Sequence, residues 1–432
     1  MSHPLKICVI GGGSSYTAEL IEGFIEARDE LDVKSIVLMD IDPRRPEIVA
    51  GLARRMLARR NAGIEIQTTG DLEEAVEGAD FVINQVRVGG MAARVLDEKI
   101  PLEFDVIGQE TTGPGGFAKA LRTIPVALDI SKMIERSAPG AALVNFTNPA
   151  GLITEALARY SGVTVMGLCN LPISAEMRIS KRLGVERNRI RLDWVGLNHL
   201  NWIRGATLDG EDIWERVFQA ELLEARENEG DGWHFSPQLL ENLGMIPCGY
   251  LNYYYNHDLM LVKQRRAGKT RGEQVLEIED LLFAMYQDPQ LAEKPQLLEE
   301  RGGAYYSKAA VELVSAIAND KGEIDIINTA NRGAIEDLPQ DVIVEVPCRI
   351  DAAGAHPLQA GALPVEVRGL VQAVKSYEEL TAGAGAEGDR RMALMALLAH
   401  PLTGSFRNAQ GLLDAILSAH AAYLPQFGLR GS

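Results

Sequence analysis

The sequence predicts an α/β fold: a mainly parallel sheet over residues 1–170, followed by an α+β domain over residues 171–432. Three observations predict it. Short, continuous apolar runs recur in the first part, as strands buried on both faces require. Stretches with helical spacing separate them, and such alternation implies parallel strands joined by right-handed crossovers. After about residue 170 the runs read as antiparallel pairs and long helical stretches dominate.

The elements follow in order. Ile7, Cys8, Val9 and Ile10 form the first apolar run, and Gly11, Gly12 and Gly13 end it. Leu20, Ile21, Phe24 and Ile25 then recur at helical spacing. Ile36 to Met39 is a second buried strand, closed by Asp40, and a helix is predicted over 46–60. Further strands are predicted near 64–68, 81–84, 142–147 and 163–168, with helices near 71–77 and 117–136. Residues 87–116 are rich in glycine and charge and read as a long functional loop. In the second part, 190–195, 201–206 and 342–350 read as strands. Helices are predicted over 211–227, 273–286, 305–318 and 390–399, and residues 381–388 read as a short Gly/Ala-rich loop. No internal repeat is visible.

Length suggests two or three domains. A net charge of −17 argues against nucleic acid or an anionic membrane as partner, because both need a basic footprint. Any anionic substrate would then need local arginines. The four cysteines, Cys8, Cys169, Cys248 and Cys348, form no C-x-x-C pair. No signal peptide and no apolar stretch of about 18 residues is read, so a cytoplasmic setting with free thiols is expected.

The glycine triplet carries the first chemistry. A first strand–helix turn that binds a dinucleotide must let backbone N–H groups reach a pyrophosphate, and side chains would block them. Gly11, Gly12 and Gly13 meet that need. Ser14 and Ser15 can add hydroxyls and cap the helix. Asp40 is placed to accept from ribose hydroxyls, which favours NAD over NADP. The fingerprint wants a small residue at position 16, where this chain has Tyr16. These features identify a Rossmann-type domain.

Residues 8–17 (Cys-Val-Ile-Gly-Gly-Gly-Ser-Ser-Tyr-Thr) resemble the start of the NAD- and metal-dependent glycoside hydrolases of family four. The likeness continues through 107–116, 145–149, 167–172, 196–199, 246–254 and 344–347, and no block is evident beyond about 365. The resemblance implies a lactate/malate dehydrogenase-like fold and NAD-dependent glycosidase chemistry. It implies a divalent metal, usually manganese, on Cys169 and His199. A thiolate ligand by itself would suit zinc as well. It implies a tyrosine base at Tyr250, assisted by Glu110, and substrate contacts from Arg94, Asn148 and Arg271. Tyr253, Tyr254 and Tyr255 are rivals for the base that only the block alignment sets aside. Asn170, following the cysteine, goes with 6-phospho-β-glucosidases, whereas an aspartate there goes with 6-phospho-α-glucosidases.

The residues suit one scheme. Transient oxidation at C3 of the sugar acidifies the C2 proton, a metal polarises the carbonyl, and a tyrosine whose pKa a cation lowers takes the proton. The expected substrate is a phosphorylated disaccharide or aryl glycoside, and the family implies a homodimer or homotetramer. The rival readings are a 6-phospho-α-glucosidase or α-galactosidase of the same family, and a 2-hydroxy-acid dehydrogenase.

Overall fold

Apolar runs become the centre of one sheet. In the computed structural model, which describes residues 3–228, 230, 234–302 and 305–428, β1 (Leu5–Ile10) lies between β2 (Val33–Met39) and β4 (Phe81–Asn84). β3 (Glu65–Thr69) flanks β2, while β5 (Ala142–Asn145) and β6 (Val165–Gly167) continue beyond β4. All five of these pairings are parallel. The resulting order, 3-2-1-4-5-6, places a reversal of winding between β1 and β4, where ligands bind at the carboxyl ends of strands.

Three strands from the second half extend the same sheet. β11 (Glu323–Ala330) pairs antiparallel with β6, β12 (Ile343–Asp351) with β11, and β13 (Gly354–Pro357) with β12. A smaller antiparallel sheet is built from β7 (Ile190–Leu197), β8 (Leu200–Leu208), β9 (Glu211–Asp212) and β10 (Ile246–Pro247). β7 and β8 form a hairpin whose two-residue turn is Asn198-His199, with Leu197 opposite Leu200.

Two predicted loops are helices. Residues 87–116 contain the helix Gly90–Lys99 and a 3-10 turn, Ile100–Phe104, and the helix Gly113–Ser137 starts inside the segment. Residues 381–388 fall mostly inside the helix Val365–Glu387. Their small residues serve close packing. A Cβ on Gly385 would come 2.5 Å from Ile124 Cδ1, and one on Gly383 would meet Met392 Cε. The helix predicted from 211 begins at Trp214, after β9.

The chain beyond 365 packs on the helices Gly113–Ser137 and Ala150–Tyr160. Helices Val365–Glu387, Arg390–Ala399 and Phe406–Ala419 lie there, and Tyr377 donates to the Gly113 carbonyl at 3.4 Å. His420 meets Asp97 on the helix Gly90–Lys99 at 3.1 Å. His400 accepts the Leu402 N–H on Nδ1 at 3.1 Å, and its Nε2 lies 3.3 Å from the Tyr254 hydroxyl.

Those contacts require a neutral His400, and burial pushes its pKa down to about 3. The unfolded chain binds a proton there near pH 6.5, so this contribution to stability is intact above 6.5. It is lost as pH falls toward 3, at about 1.4 kcal/mol per pH unit. Urea unfolding of His400→Gln is expected to show a pH slope smaller by that amount between pH 4 and 6. Equal slopes in variant and parent would show that His400 titrates normally in the fold.

Candidate active site

The glycine loop follows β1 and has no room for side chains. Gly11 has φ +81°, and its added Cβ would lie 3.0 Å from the Gln85 carbonyl. Gly12 approaches Leu38 Cα to 2.8 Å by the same measure, and Gly13 approaches Asp40 Oδ2 to 2.6 Å. The Gly11 and Gly12 N–H groups both donate to the Met39 carbonyl. Asp40 ends β2 as expected, but its carboxylate already accepts from two backbone groups, Gly13 N at 3.0 Å and Asp42 N at 3.1 Å. Each oxygen keeps one lone pair for a further donor.

Two expectations for the serines need correction. The first helix, Thr17–Glu26, has Tyr16 at its N-cap and no side-chain cap, so neither serine caps it. Ser14 accepts the Tyr16 N–H at 3.3 Å. Ser15 is fully buried and donates to Glu279 Oε1 at 3.1 Å, so its hydroxyl is turned into the protein. Glu279, on the helix Arg271–Tyr286, also pairs with Arg45 and Arg301 at 3.2 Å each. Arg301 lies 4.3 Å over the Tyr16 ring, and Tyr286 donates to the Ser15 carbonyl at 2.7 Å. Tyr16 thus replaces a small residue because a charged clamp from the second half grips the back of the loop.

Cys169 and His199 come together from separate sheets. Cys169 follows β6, and His199 occupies the β7–β8 turn with φ +62°. Their Sγ and Nε2 atoms are 3.5 Å apart, and both residues are buried. The Thr111 hydroxyl donates to Gln109 Oε1 at 2.8 Å. Its oxygen therefore accepts from His199 Nδ1 at 2.9 Å, which leaves a bare lone pair on Nε2 facing the sulfur. An orienting bond of this kind is what a metal-binding histidine needs. Bond lengths of about 2.3 Å to sulfur and about 2.1 Å to nitrogen, at a near-tetrahedral angle, place two ligands about 3.5 Å apart. The pair fits a cation.

Charge supports the same conclusion. Burial and the nearby Glu345 push the Cys169 thiol up, and burial brings His199 down to about 3. A thiolate here needs a positive charge beside it. Among the described residues no cluster of three or more His, Cys, Asp or Glu could hold a metal, so two protein ligands would leave positions open for substrate oxygens. Asn170 Oδ1 lies 4.0 Å from the sulfur.

Tyr250 separates from its rivals by position. Its ring stacks on His199 with centroids 3.8 Å apart and planes 4° from parallel. Tyr253 packs edge-on to Tyr250, Tyr254 faces His400, and Tyr255 packs on Phe235. Burial pushes the Tyr250 phenol up, helped by Cys169, Tyr253 and Glu110, while a hydrogen bond with Thr111 lowers it. The cation that the sequence scheme requires is therefore needed here too.

Glu110 is held by three cations, two of which sequence reasoning missed. Arg87 Nη1 is 2.6 Å from it, Arg94 Nη1 3.0 Å and Lys119 Nζ 3.0 Å. Burial alone would raise the carboxyl, but Arg87, Lys119 and Arg94 together hold it well below the usual range. Burial, with Arg87 adding to it, brings Lys119 down to about 7. Arg94 also binds Glu98 at 2.9 Å, and Glu98 accepts the Gly272 N–H at 2.6 Å. Arg271 thus begins a helix that abuts the one carrying Arg94. Its own guanidinium is exposed and donates to the Glu300 carbonyl at 2.7 Å, outside the Glu110 cluster. Asn148 Nδ2 reaches the Tyr306 hydroxyl at 3.5 Å, and its Oδ1 is buried without a hydrogen-bond partner. A cavity of about 500 Å³ lies elsewhere, lined by Asp193, Arg204, Trp214 and Asp325, and none of these groups faces it.

Comparison with known proteins gives the family. The model described as Family 4 glycosyl hydrolase matches residues 6–185, and the model for the Family 4 glycosyl hydrolase C-terminal domain matches 194–403. A probable 6-phospho-beta-glucosidase of Bacillus subtilis (strain 168) is 48% identical, covering 99% of each chain. The 6-phospho-beta glucosidase of Thermotoga maritima, solved with manganese, NAD+ and glucose-6-phosphate, is 36% identical with a TM-score of 0.91. The alignment covers 97% of this chain and 99% of that one. Malate dehydrogenase from Plasmodium falciparum, 13% identical, shares the fold with a TM-score of 0.57 over 88% of this chain and 99% of that one. Cys169 lies in the first matched segment and His199 and Tyr250 in the second, and the chain belongs to family 4 of the glycosyl hydrolases.

Proposed function

We propose that the protein hydrolyses 6-phospho-β-glucosides, with NAD⁺ and a divalent cation, of which manganese is the first candidate. The observation that carries the reading is the stack of Tyr250 on His199 beside Cys169, all three linked to Thr111 or to one another. When bound, NAD⁺ offers a reversible hydride acceptor for C3, and the cation offers Lewis-acid polarisation of the C2 and C3 oxygens.

The chain's own groups supply the rest. Without side chains at Gly11, Gly12 and Gly13 the pyrophosphate can lie close to the loop, where the Ser14 hydroxyl is a donor, and Asp40 retains lone pairs for ribose hydroxyls. Ser15 supports the loop from behind through Glu279. Cys169 and His199 hold the cation. Arg94 and Arg271 bind the sugar phosphate, and the unpartnered Oδ1 of Asn148 accepts a sugar hydroxyl. Asn170 contacts the sugar without offering an acid, which favours the β-anomer. Tyr250 takes the C2 proton, with its ring held against His199. Glu110 gathers Arg87, Arg94 and Lys119, and Arg94 among them is the cation that interacts with Tyr250 and favours its phenolate. The aglycone leaves from C1, water adds in its place, and no net oxidation results.

Exposed apolar side chains on the helices His257–Arg266 and Arg271–Tyr286, among them Leu259, Val262, Leu276, Leu281 and Met285, support a homodimer or homotetramer. Among the described residues no helix is long and apolar enough to cross a membrane. Four free cysteines support a cytoplasmic setting.

A panel of 4-nitrophenyl glycosides, α and β, with and without the 6-phosphate, tests this reading. The phosphorylated β-glucoside is expected to exceed the unphosphorylated β-glucoside in kcat/KM by about 100-fold, the worth of about 3 kcal/mol of charged contacts, and to be cleaved faster than the phosphorylated α-anomer. Equal cleavage of the α-anomer would overturn the β assignment. NADH accumulating without nitrophenol release would overturn the hydrolase.

A further inference from the structure

The mechanism above leaves the buried carboxyl group of Glu345 unused. Glu345, on β12, is fully buried, and its carboxylate receives four side-chain N–H groups. Oε1 accepts from Asn198 Nδ2 and Asn328 Nδ2, each at 2.9 Å. Oε2 accepts from Asn201 Nδ2 at 2.8 Å and Trp194 Nε1 at 3.1 Å. A tryptophan can only donate. Asn198 is oriented by the Gly151 N–H on its Oδ1, and Asn201 by the Leu197 carbonyl on its Nδ2. Burial raises the carboxyl pKa to about 7, and the four donors around its oxygens work against that rise and favour the ionised form. Among the described residues no Lys, Arg or His pairs with it.

An anion buried without a counter-charge is costly unless something else neutralises it. Its charge is felt at Cys169, whose thiol it raises. Asn198 connects the two directly, since its side chain bonds both Glu345 and the Cys169 sulfur. Asn198 is also the first residue of the turn that presents His199.

We propose that Glu345 is a positioning residue for a divalent cation on Cys169 and His199. It balances the charge of that cation from outside its ligands and fixes the Asn198-His199 turn. The proposal rests on the metal reading given under the proposed function.

Titration of metal-free protein with Co²⁺, followed through the thiolate-to-cobalt charge-transfer band, tests it, with NAD⁺ affinity measured in parallel. Glu345→Gln is expected to weaken Co²⁺ binding about 10- to 100-fold while NAD⁺ affinity stays within about twofold. Co²⁺ affinity within about threefold of the parent would overturn the proposal. If the single variant does not fold, the double variant Glu345→Gln, Asn201→Asp returns the charge to the cluster with amide and carboxylate exchanged. Recovery of Co²⁺ affinity there supports the proposal, and intact NAD⁺ binding without recovery overturns it. The parent protein and Cys169→Ala separate this result from failure of the metal reading. A parent without the band, or a band that survives Cys169→Ala, removes the cation site and the proposal with it.

Discussion

Tyr250→Phe is expected to lower kcat on the phosphorylated β-glucoside by about 10³-fold, within the range a positioned general base contributes. The substitution removes one oxygen and keeps the ring. The stack on His199 needs only the ring plane, so the Cys169–His199 pair should remain. The Gly11–Gly13 loop is a separate contact set, so NAD⁺ affinity should be unchanged. The effect should therefore fall on kcat with little change in KM, the signature of a group that acts in the transition state. Steady-state kinetics with cofactor titration checks this. A loss below about tenfold would assign the proton transfer to another group. Tyr253 is then the nearest candidate, because its ring packs against Tyr250.

Cys169→Ala should cost at least as much, through a different route. Only two protein ligands face each other, so removing one leaves His199 alone at the site. Lewis-acid stabilisation is worth several kcal/mol, and activity should fall by about 10³-fold or more. Added Mn²⁺ should not restore it. The alanine also leaves His199 Nε2 buried without its sulfur partner, a penalty of about 1–3 kcal/mol. A lower Tm is therefore expected together with unchanged NAD⁺ binding. Full activity in this variant, or in the parent after chelation, would refute the metal site.

Cys169 and His199 were singled out in the sequence through the short blocks that resemble the family. Cys169 follows a strand, His199 lies in a tight turn between strands, and each belongs to a short block with an order of its own. The glycine loop was legible because a strand, a turn and a helix follow one another within a few residues. The cluster on Glu110 was not, since Arg87, Arg94 and Lys119 come from a loop and two helices that only the fold brings together. Lys119 on a helical stretch looks like a solvated charge until the helix is seen to be buried. Glu345 was hidden for the same reason: its four donors come from β7, β8, β11 and the turn at Asn198. Glycine density misled twice. In residues 87–116 the glycines flank helix starts, and Gly383 and Gly385 let two helices approach. The direction of a short side chain was also beyond the sequence. Ser15 belongs to the glycine loop by position, yet it bonds a glutamate 264 residues away.

The account turns on removal of the C2 proton by Tyr250 during a hydrolysis with no net redox change. Hydrolysis in D₂O, with the released glucose 6-phosphate examined by NMR, tests this most directly. Deuterium at C2 of the product, with no NADH accumulating, is the expected result. A product carrying only protium at C2 would contradict the account and return the site to direct displacement at C1.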